Sequence, residues 1–541
     1  MPVKYPSKSD LKYQPLLLVI FVLSVFGVGY QSIPVFTWLF YPVALYYTRQ
    51  SWWNLVFFFI FNLFGNALAI LGSFNLDPVP GFASVGLLIG LAAAVNVLIV
   101  ICFAVDRLAY LTNSSPLRVY TFPLFWTGVW NIFAWYSPLG DFFTFSQAGM
   151  LWGSFRQIAS FGGRAMLDFF MAWCGTVIVE TWFTKQGTHL QTPNADLDQT
   201  FSKPVDNDYS EIDADMSKPK QSLRTTIRLH LTPLAIFCLI FATLLGYGGG
   251  QASIISGSFY QKSYEGYITR DVIRAGCVIG NTDGTGYSPA DRQYWFDQSV
   301  QLAKDGAKLV LWSEETSQTF NSTDEQQFLD QASAVARNNS IYLAVLYINN
   351  IPDTIENLMT LIAPNGTILL TYSKAHPVVG VEDQPPGPNV LQYVDTPDLG
   401  RVGVGICFDY NFPSLIDQAG QNQVNLMLQA SWTWGPLGTF HARGNSLRAI
   451  ENGFTMLRCG SQGMSGVFTP TSDSPYQQQF ATLSNQTLMF QVPRLPYVRT
   501  TYTVFRGAFG WICLALGLLI TIYLIISPLL HKILRKRSAT E

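Results

Sequence analysis

Three side chains of different chemistry stand at the ends of apolar runs in the second half of this 541-residue chain. Leu309-Val310-Leu311-Trp312 leads through Ser313 to Glu314 and Glu315. Thr371-Tyr372-Ser373 leads to Lys374, with His376 two residues on. Val402-Gly403-Val404-Gly405-Ile406 ends on Cys407, followed by Phe408 and Asp409. A cysteine nucleophile reacts as the thiolate, and a neighbouring ammonium stabilises that form. A carboxylate within reach can take the thiol proton and return it to a leaving group. Each residue alone has a plainer reading. A cysteine after an apolar strand is more often core, a strand-end glutamate is usually solvated, and a lysine after Tyr-Ser is an ordinary surface charge. Their occurrence at three successive strand ends makes the difference, because rigid strands can aim side chains at one point.

The surrounding sequence supplies such strands. Between about residues 267 and 499, apolar runs of strand type fall at 272–279, 308–312, 341–348, 357–363, 367–372, 401–407, 425–428 and 455–459. Helical patterns fall between them at 290–305, 324–338 and 440–452, and Asn365-Gly366 is a hairpin signal. This alternation predicts a layered α/β domain large enough for its own core.

The rest of the chain is of another kind. It is 49% hydrophobic and only 13% charged overall, against about a quarter charged in ordinary soluble domains. Apolar segments at 16–30, 33–47, 53–71, 85–105, 120–135, 164–183, 231–247 and 507–527 predict a helical membrane bundle of about eight spans. The expected organisation is a seven-span region over 1–250, a catalytic domain over 265–500 and a last span over 505–530. Lys4, Lys8 and Lys12 precede the first segment, Lys218, Lys220, Arg224 and Arg228 the seventh, and Lys532, Arg535, Lys536 and Arg537 follow the last. The cation rule then places both termini in the cytosol and the α/β domain across the membrane. The polar stretch 185–228 predicts a disordered cytosolic loop. No removable signal peptide is expected.

Other classes are disfavoured. A net charge of −2 gives no field for nucleic acid. Five scattered histidines give no metal-ligand spacing, so no metal or other cofactor is expected. Gly248-Gly249-Gly250 lacks the strand and helix of a nucleotide loop. His376 and His441 are expected in structural hydrogen bonds. Of seven cysteines, Cys277 and Cys459 could pair only in an oxidising compartment. Asn321, Asn338, Asn365 and Asn485 each open an Asn-x-Ser/Thr sequon, which suits a secretory-pathway glycoprotein.

The Glu–Lys–Cys order resembles the carbon–nitrogen hydrolase (nitrilase) superfamily, and with spans on both sides it resembles the apolipoprotein N-acyltransferases. Further likeness lies in Trp432, in Arg448-Ala449-Ile450-Glu451-Asn452-Gly453, and in the stretch from Ser137-Pro138-Leu139-Gly140 to Gln157-Ile158-Ala159-Ser160. The resemblance implies an αββα sandwich with Glu314 as base, Lys374 as oxyanion holder and Cys407 as nucleophile. It also implies Glu382, Phe408, Asp409 and Trp432 as supporting or substrate-binding residues. Glu315 next to Glu314 is the alternative base. Ser313 stands where the family has proline, and Pro377-Val378-Val379-Gly380-Val381-Glu382 replaces its Leu-Val-Pro-Phe-Gly-Glu lip. The function so implied is transfer of a fatty acyl chain from a membrane phospholipid, through a Cys407 thioester, to an amine on a lipoprotein or amino-lipid. The alternatives are a membrane-tethered amidase or nitrilase that uses water, and a domain that only binds ligand.

Overall fold

The computed structural model describes residues 12–29, 32–71, 81–112, 117–146, 152–183, 223–262, 272–280, 289–351, 354–433, 436–471, 478–483 and 485–538. The expected loop at 185–228 lies almost wholly outside them.

All eight apolar segments are helical: Pro15–Val28, Pro34–Thr48, Trp52–Ile70, Gly81–Thr112, Arg118–Tyr136, Arg164–Trp182, Leu223–Lys262 and Ala508–Ser538. Among the described residues five contain a stretch long and apolar enough to cross a bilayer: Trp52–Ile70, Leu88–Leu111, Arg164–Trp182, Leu231–Gln251 and Ala508–Ser527. This corrects the expectation of eight. Pro15–Val28 and Pro34–Thr48 are 14 and 15 residues long, against about 20 for a full crossing. Arg118–Tyr136 is long enough, but Arg118, Thr121, Thr127 and Asn131 dilute its apolarity. The orientation of the termini therefore rests on the flanking cations and not on an even number of spans.

The α/β part is a sandwich of two sheets. The first runs in the order β13 (Gln486–Pro493), β1 (Val272–Ile279), β2 (Leu309–Trp312), β4 (Tyr342–Ile351), β5 (Thr354–Ile362), β6 (Ile368–Ser373), with β3 (Ser317–Thr319) pairing β4. The second runs β12 (Gln479–Thr482), β11 (Gly463–Phe468), β10 (Thr455–Ser461), β9 (Leu426–Trp432), β8 (Gly400–Ile406), β7 (Tyr393–Thr396). The central strands β2, β9 and β10 are buried along almost their whole length, and β2 reads as a continuous apolar run for that reason. Helices Pro289–Lys304 and Ser322–Asn339 pack on the first sheet, and Pro436–Asn452 packs on the second. One continuous core fills the space between. Cys277 on β1 and Cys459 on β10 form a disulfide across the two sheets. The hairpin at Asn365-Gly366 joins β5 to β6, with Gly366 at φ 86°.

Buried ions fasten the helical half beneath the sandwich. Arg448 of helix Pro436–Asn452 pairs with Asp141 and Glu451, and Arg164 pairs with Asp141 at 2.8 Å. The Arg164 backbone N–H donates to Glu451 at 2.7 Å, and the Asp141 N–H donates to the Asn411 carbonyl at 2.9 Å. Asn411 ends the short turn Cys407–Asn411, so the segment carrying the nucleophile candidate is braced from below.

Candidate active site

The strand ends converge as their spacing predicts. Lys374 is fully buried, and its Nζ donates to Glu314 Oε1 and to both Glu382 oxygens, each at 2.7 Å. Glu314 Oε1 also accepts from Asn357 Nδ2 at 2.9 Å, and Oε2 accepts from the Trp432 N–H at 2.7 Å. Cys407 follows β8 with φ 44°, a left-handed conformation that costs a non-glycine residue energy and tends to mark functional sites. Its thiol points to the Trp432 carbonyl at 3.4 Å, and Ser431 Oγ donates to Sγ at 3.1 Å. Residue 432 thus holds the carboxylate through its N–H and meets the thiol through its carbonyl. Gln384 fixes Glu382 with a 2.8 Å bond.

The supporting residues divide by direction. Phe408 faces the aromatic cluster of Phe142, Phe412 and His441. Asp409 turns away from the thiol. It accepts from Tyr372 Oη at 2.7 Å and from the His376 and Ile406 N–H groups at 2.9 Å, locking the turn after Cys407 to the strand that delivers Lys374. His376 stacks on Phe412, and His441 takes hydrogen bonds from the Asn411 and Asn445 side-chain amides. Asn357, Ser431 and Arg458 join the site without any signal in the sequence. Among the described residues no group of three or more His, Cys, Asp or Glu side chains is gathered for a metal ion.

The electrostatics follow from burial and sign. Burial pushes the Cys407 thiol well up, Glu314 adds to that, and Lys374 pulls it back. The resting sulfur is therefore protonated and needs a base. Burial alone would lower the Lys374 ammonium, but Glu314 and Glu382 outweigh it and hold the group above the ordinary lysine range. Burial raises Glu382, with Lys374 opposing. Glu315 also has a positive φ, and burial beside Glu314 pushes it up to about 8. A carboxyl protonated at neutral pH is a poor base, which favours Glu314 over Glu315.

A cavity of about 280 Å³ opens from Cys407. Trp432, Val378, Val379, Val381 and Leu437 line it from the sandwich, and Leu139, Phe142 and Phe143 from the loop below. Leu88 and Leu91, from the membrane-type helix Gly81–Thr112, close its far wall.

A two-sheet sandwich that brings Lys374 onto Glu314, and sets Cys407 against the Trp432 carbonyl whose own N–H holds Glu314, has an arrangement of the nitrilase kind. Residues 286–487 match the family model for carbon-nitrogen hydrolase, so the chain carries a carbon–nitrogen hydrolase domain. Among curated proteins it is 28% identical over 167 residues to a deaminated glutathione amidase of Dictyostelium discoideum, covering 27% of this chain and 57% of that protein. It is 25% identical over 182 residues to a formamidase of Bacillus thuringiensis, covering 31% of this chain and 55% of that protein. The chain thus spans little more than half the length of these relatives. Among solved structures it is similar to an amidase from Nesterenkonia sp. AN1 in complex with butyramide, at 17% identity and TM-score 0.36, covering 41% of this chain and 92% of that one.

Proposed function

We propose that this chain is a membrane-associated amidase that cleaves a C–N bond in a substrate with a long apolar acyl chain. The largely apolar cavity joining Cys407 to Leu88 and Leu91 carries the proposal, since a chain leaving the thiol in that direction runs along Leu139, Phe142, Phe143 and Leu88. The amidase relatives support water as the acceptor. Glu314 takes the Cys407 proton as Sγ attacks the carbonyl, and Lys374 holds the oxyanion. All three Lys374 N–H groups are engaged at rest, and two of them go to one carboxylate, so a Glu382 bond is the one redirected to the oxyanion. Glu314 returns the proton to the departing amine, leaving a thioester on Cys407. A water then attacks the thioester, Glu314 takes its proton, and the acid departs as the thiol is restored.

A second reading, transfer of the acyl group from a phospholipid to an amine, is favoured by the same cavity. Its hydrocarbon walls admit lipid from the membrane side and keep water scarce. Intact-protein mass spectrometry with p-nitrophenyl palmitate tests both. Hydrolysis predicts continuous release of palmitate without added amine, whereas a thioester that persists until an amine is supplied replaces it with transfer. Equal ester cleavage by Cys407→Ala would refute the site itself.

We propose further that the sandwich lies outside the cytosol. The buried Cys277–Cys459 disulfide suits an oxidising compartment. Asn321, Asn338, Asn365 and Asn485 are all exposed, as acceptors of N-linked glycan must be. Loss of electrophoretic mass on glycosidase treatment is expected, and an unmodified protein from a eukaryotic secretory membrane would count against it.

A further inference from the structure

Arg458, on β10, is fully buried, yet among the described residues no carboxylate lies within ion-pair distance of it. Its Nε donates to the Met464 carbonyl at 2.9 Å, and Nη2 donates to Ser431 Oγ at 2.9 Å. Nη2 also approaches His441 Nδ1 at 3.4 Å, and Nη1 has no partner among the described residues. A buried cation without a counter-ion is expensive, and the cost is met where an anion forms nearby. The group one step away is the thiol: Ser431 Oγ, having accepted from Arg458, donates its own proton to Cys407 Sγ at 3.1 Å.

We propose that Arg458 is a positioning residue that stabilises the Cys407 thiolate through the Ser431 hydroxyl, acting as a second cation beside Lys374. This deepens the thiol mechanism proposed above and rests on it. The direction of the chain is fixed by its donors. Arginine has only N–H groups to give, so the serine oxygen must accept from it, and the serine proton is left for sulfur. A neutral thiol gains little from such a donor, whereas a thiolate gains a charge-assisted bond, which is about twice as strong. Charge balance requires the same. The charged groups around the sulfur are Glu314, Glu382 and Lys374, with Arg458 on the far side. Once Glu314 holds the thiol proton, Glu382 and Lys374 balance each other, and the guanidinium is left to balance the thiolate. Burial lowers Arg458 to about 10, with Cys407 and Glu314 opposing, so it stays charged at neutral pH. His441 lies between but adds no charge, because burial and then Arg458 hold it well below the ordinary histidine value.

The test uses the full-length protein and needs no substrate. The rate of Cys407 alkylation by iodoacetamide is followed across pH, with the adduct mapped by peptide mass spectrometry. Ser431→Ala deletes only the hydroxyl. It is expected to slow alkylation at neutral pH roughly tenfold and to move the profile about one unit to higher pH, the equivalent of one charge-assisted bond. Arg458→Gln is expected to do at least as much, and Arg458→Lys to recover part of the loss. Profiles of Ser431→Ala and Arg458→Gln that superpose on the native one would overturn the assignment and leave Arg458 a packing residue. If Arg458→Gln does not fold, Ser431→Ala decides. A native Cys407 that resists alkylation at every pH would instead overturn the nucleophile itself.

Discussion

Replacing Glu314 by glutamine keeps the shape of the side chain and removes its charge, so the consequences can be worked from its contacts. Oε1 accepts from Lys374 and Asn357, and Oε2 accepts from the Trp432 N–H. An amide offers one oxygen, so its NH2 must face a donor whichever way it turns. Pointing the oxygen at Lys374 and Asn357 is the cheaper choice. It leaves the Trp432 N–H unpaired in a buried site, at a cost of about 1–3 kcal/mol. Lys374 keeps Glu382 as its counter-ion. For a domain of this size the melting temperature should fall by roughly 2–12 °C. The chemical effect is larger. Among the described residues the hydrogen-bond acceptor of the thiol is the Trp432 carbonyl, and a carbonyl does not take up a proton at neutral pH. Loss of general-base catalysis should slow acylation of Cys407 about a hundredfold to ten-thousandfold. The assay is single-turnover release of p-nitrophenol from its palmitate ester, alongside a thermal melt. Acylation by Glu314→Gln within tenfold of native, at a melting temperature lowered as forecast, would refute Glu314 as the base and bring Glu315 forward.

Leu88→Trp should fill the far end of the cavity. Turnover of p-nitrophenyl palmitate is expected to fall at least tenfold with the butyrate ester little changed, and an equal loss on both would refute the placement of the acyl chain. Denatured protein should titrate five thiols without reductant and seven with it, because Cys277 and Cys459 are bonded and five cysteines are free. Cys277→Ala should lower stability by about 2–5 kcal/mol, read from the melting curve under non-reducing conditions. Asp417 is buried and adjacent to Glu451, which pushes its carboxyl up to about 8. The folded chain holds that proton more tightly than the unfolded one does, so its contribution to stability is present below about pH 4 and is lost as pH rises to about 8. Asp417→Asn should therefore flatten the decline of melting temperature across that window, and an undiminished decline would assign it to other groups.

The sequence by itself located the three strand ends and the side chains they carry. Apolar runs, glycine punctuation and the residues after them are local features, and β1 occupies 272–279 as read. The eight helical segments were legible for the same reason. Their ability to cross a bilayer was not, because a tally of apolar residues does not fix where each helix starts and stops. The edge strands β7 and β12 were missed. Each is four residues long and mostly exposed, so neither has the two-sided apolar pattern of a central strand. β3, β11, β13 and helix Pro413–Gln421 were missed as well.

Tertiary structure alone decided the rest. Asn357, Ser431 and Arg458 reach the site because β5, β9 and β10 are placed there by sheet pairing, and nothing in their neighbouring residues announces it. Cys277 and Cys459 are 182 residues apart and bond only because the two sheets face each other. The substrate cavity shows this most clearly. Leu88 and Leu91 read as ordinary residues of an apolar helix, and only the docking of that helix under the sandwich turns them into a wall opposite the nucleophile. Chemistry was legible where it depended on residue type at a strand end. It was hidden where it depended on which distant surfaces the folded chain brings within a few ångströms.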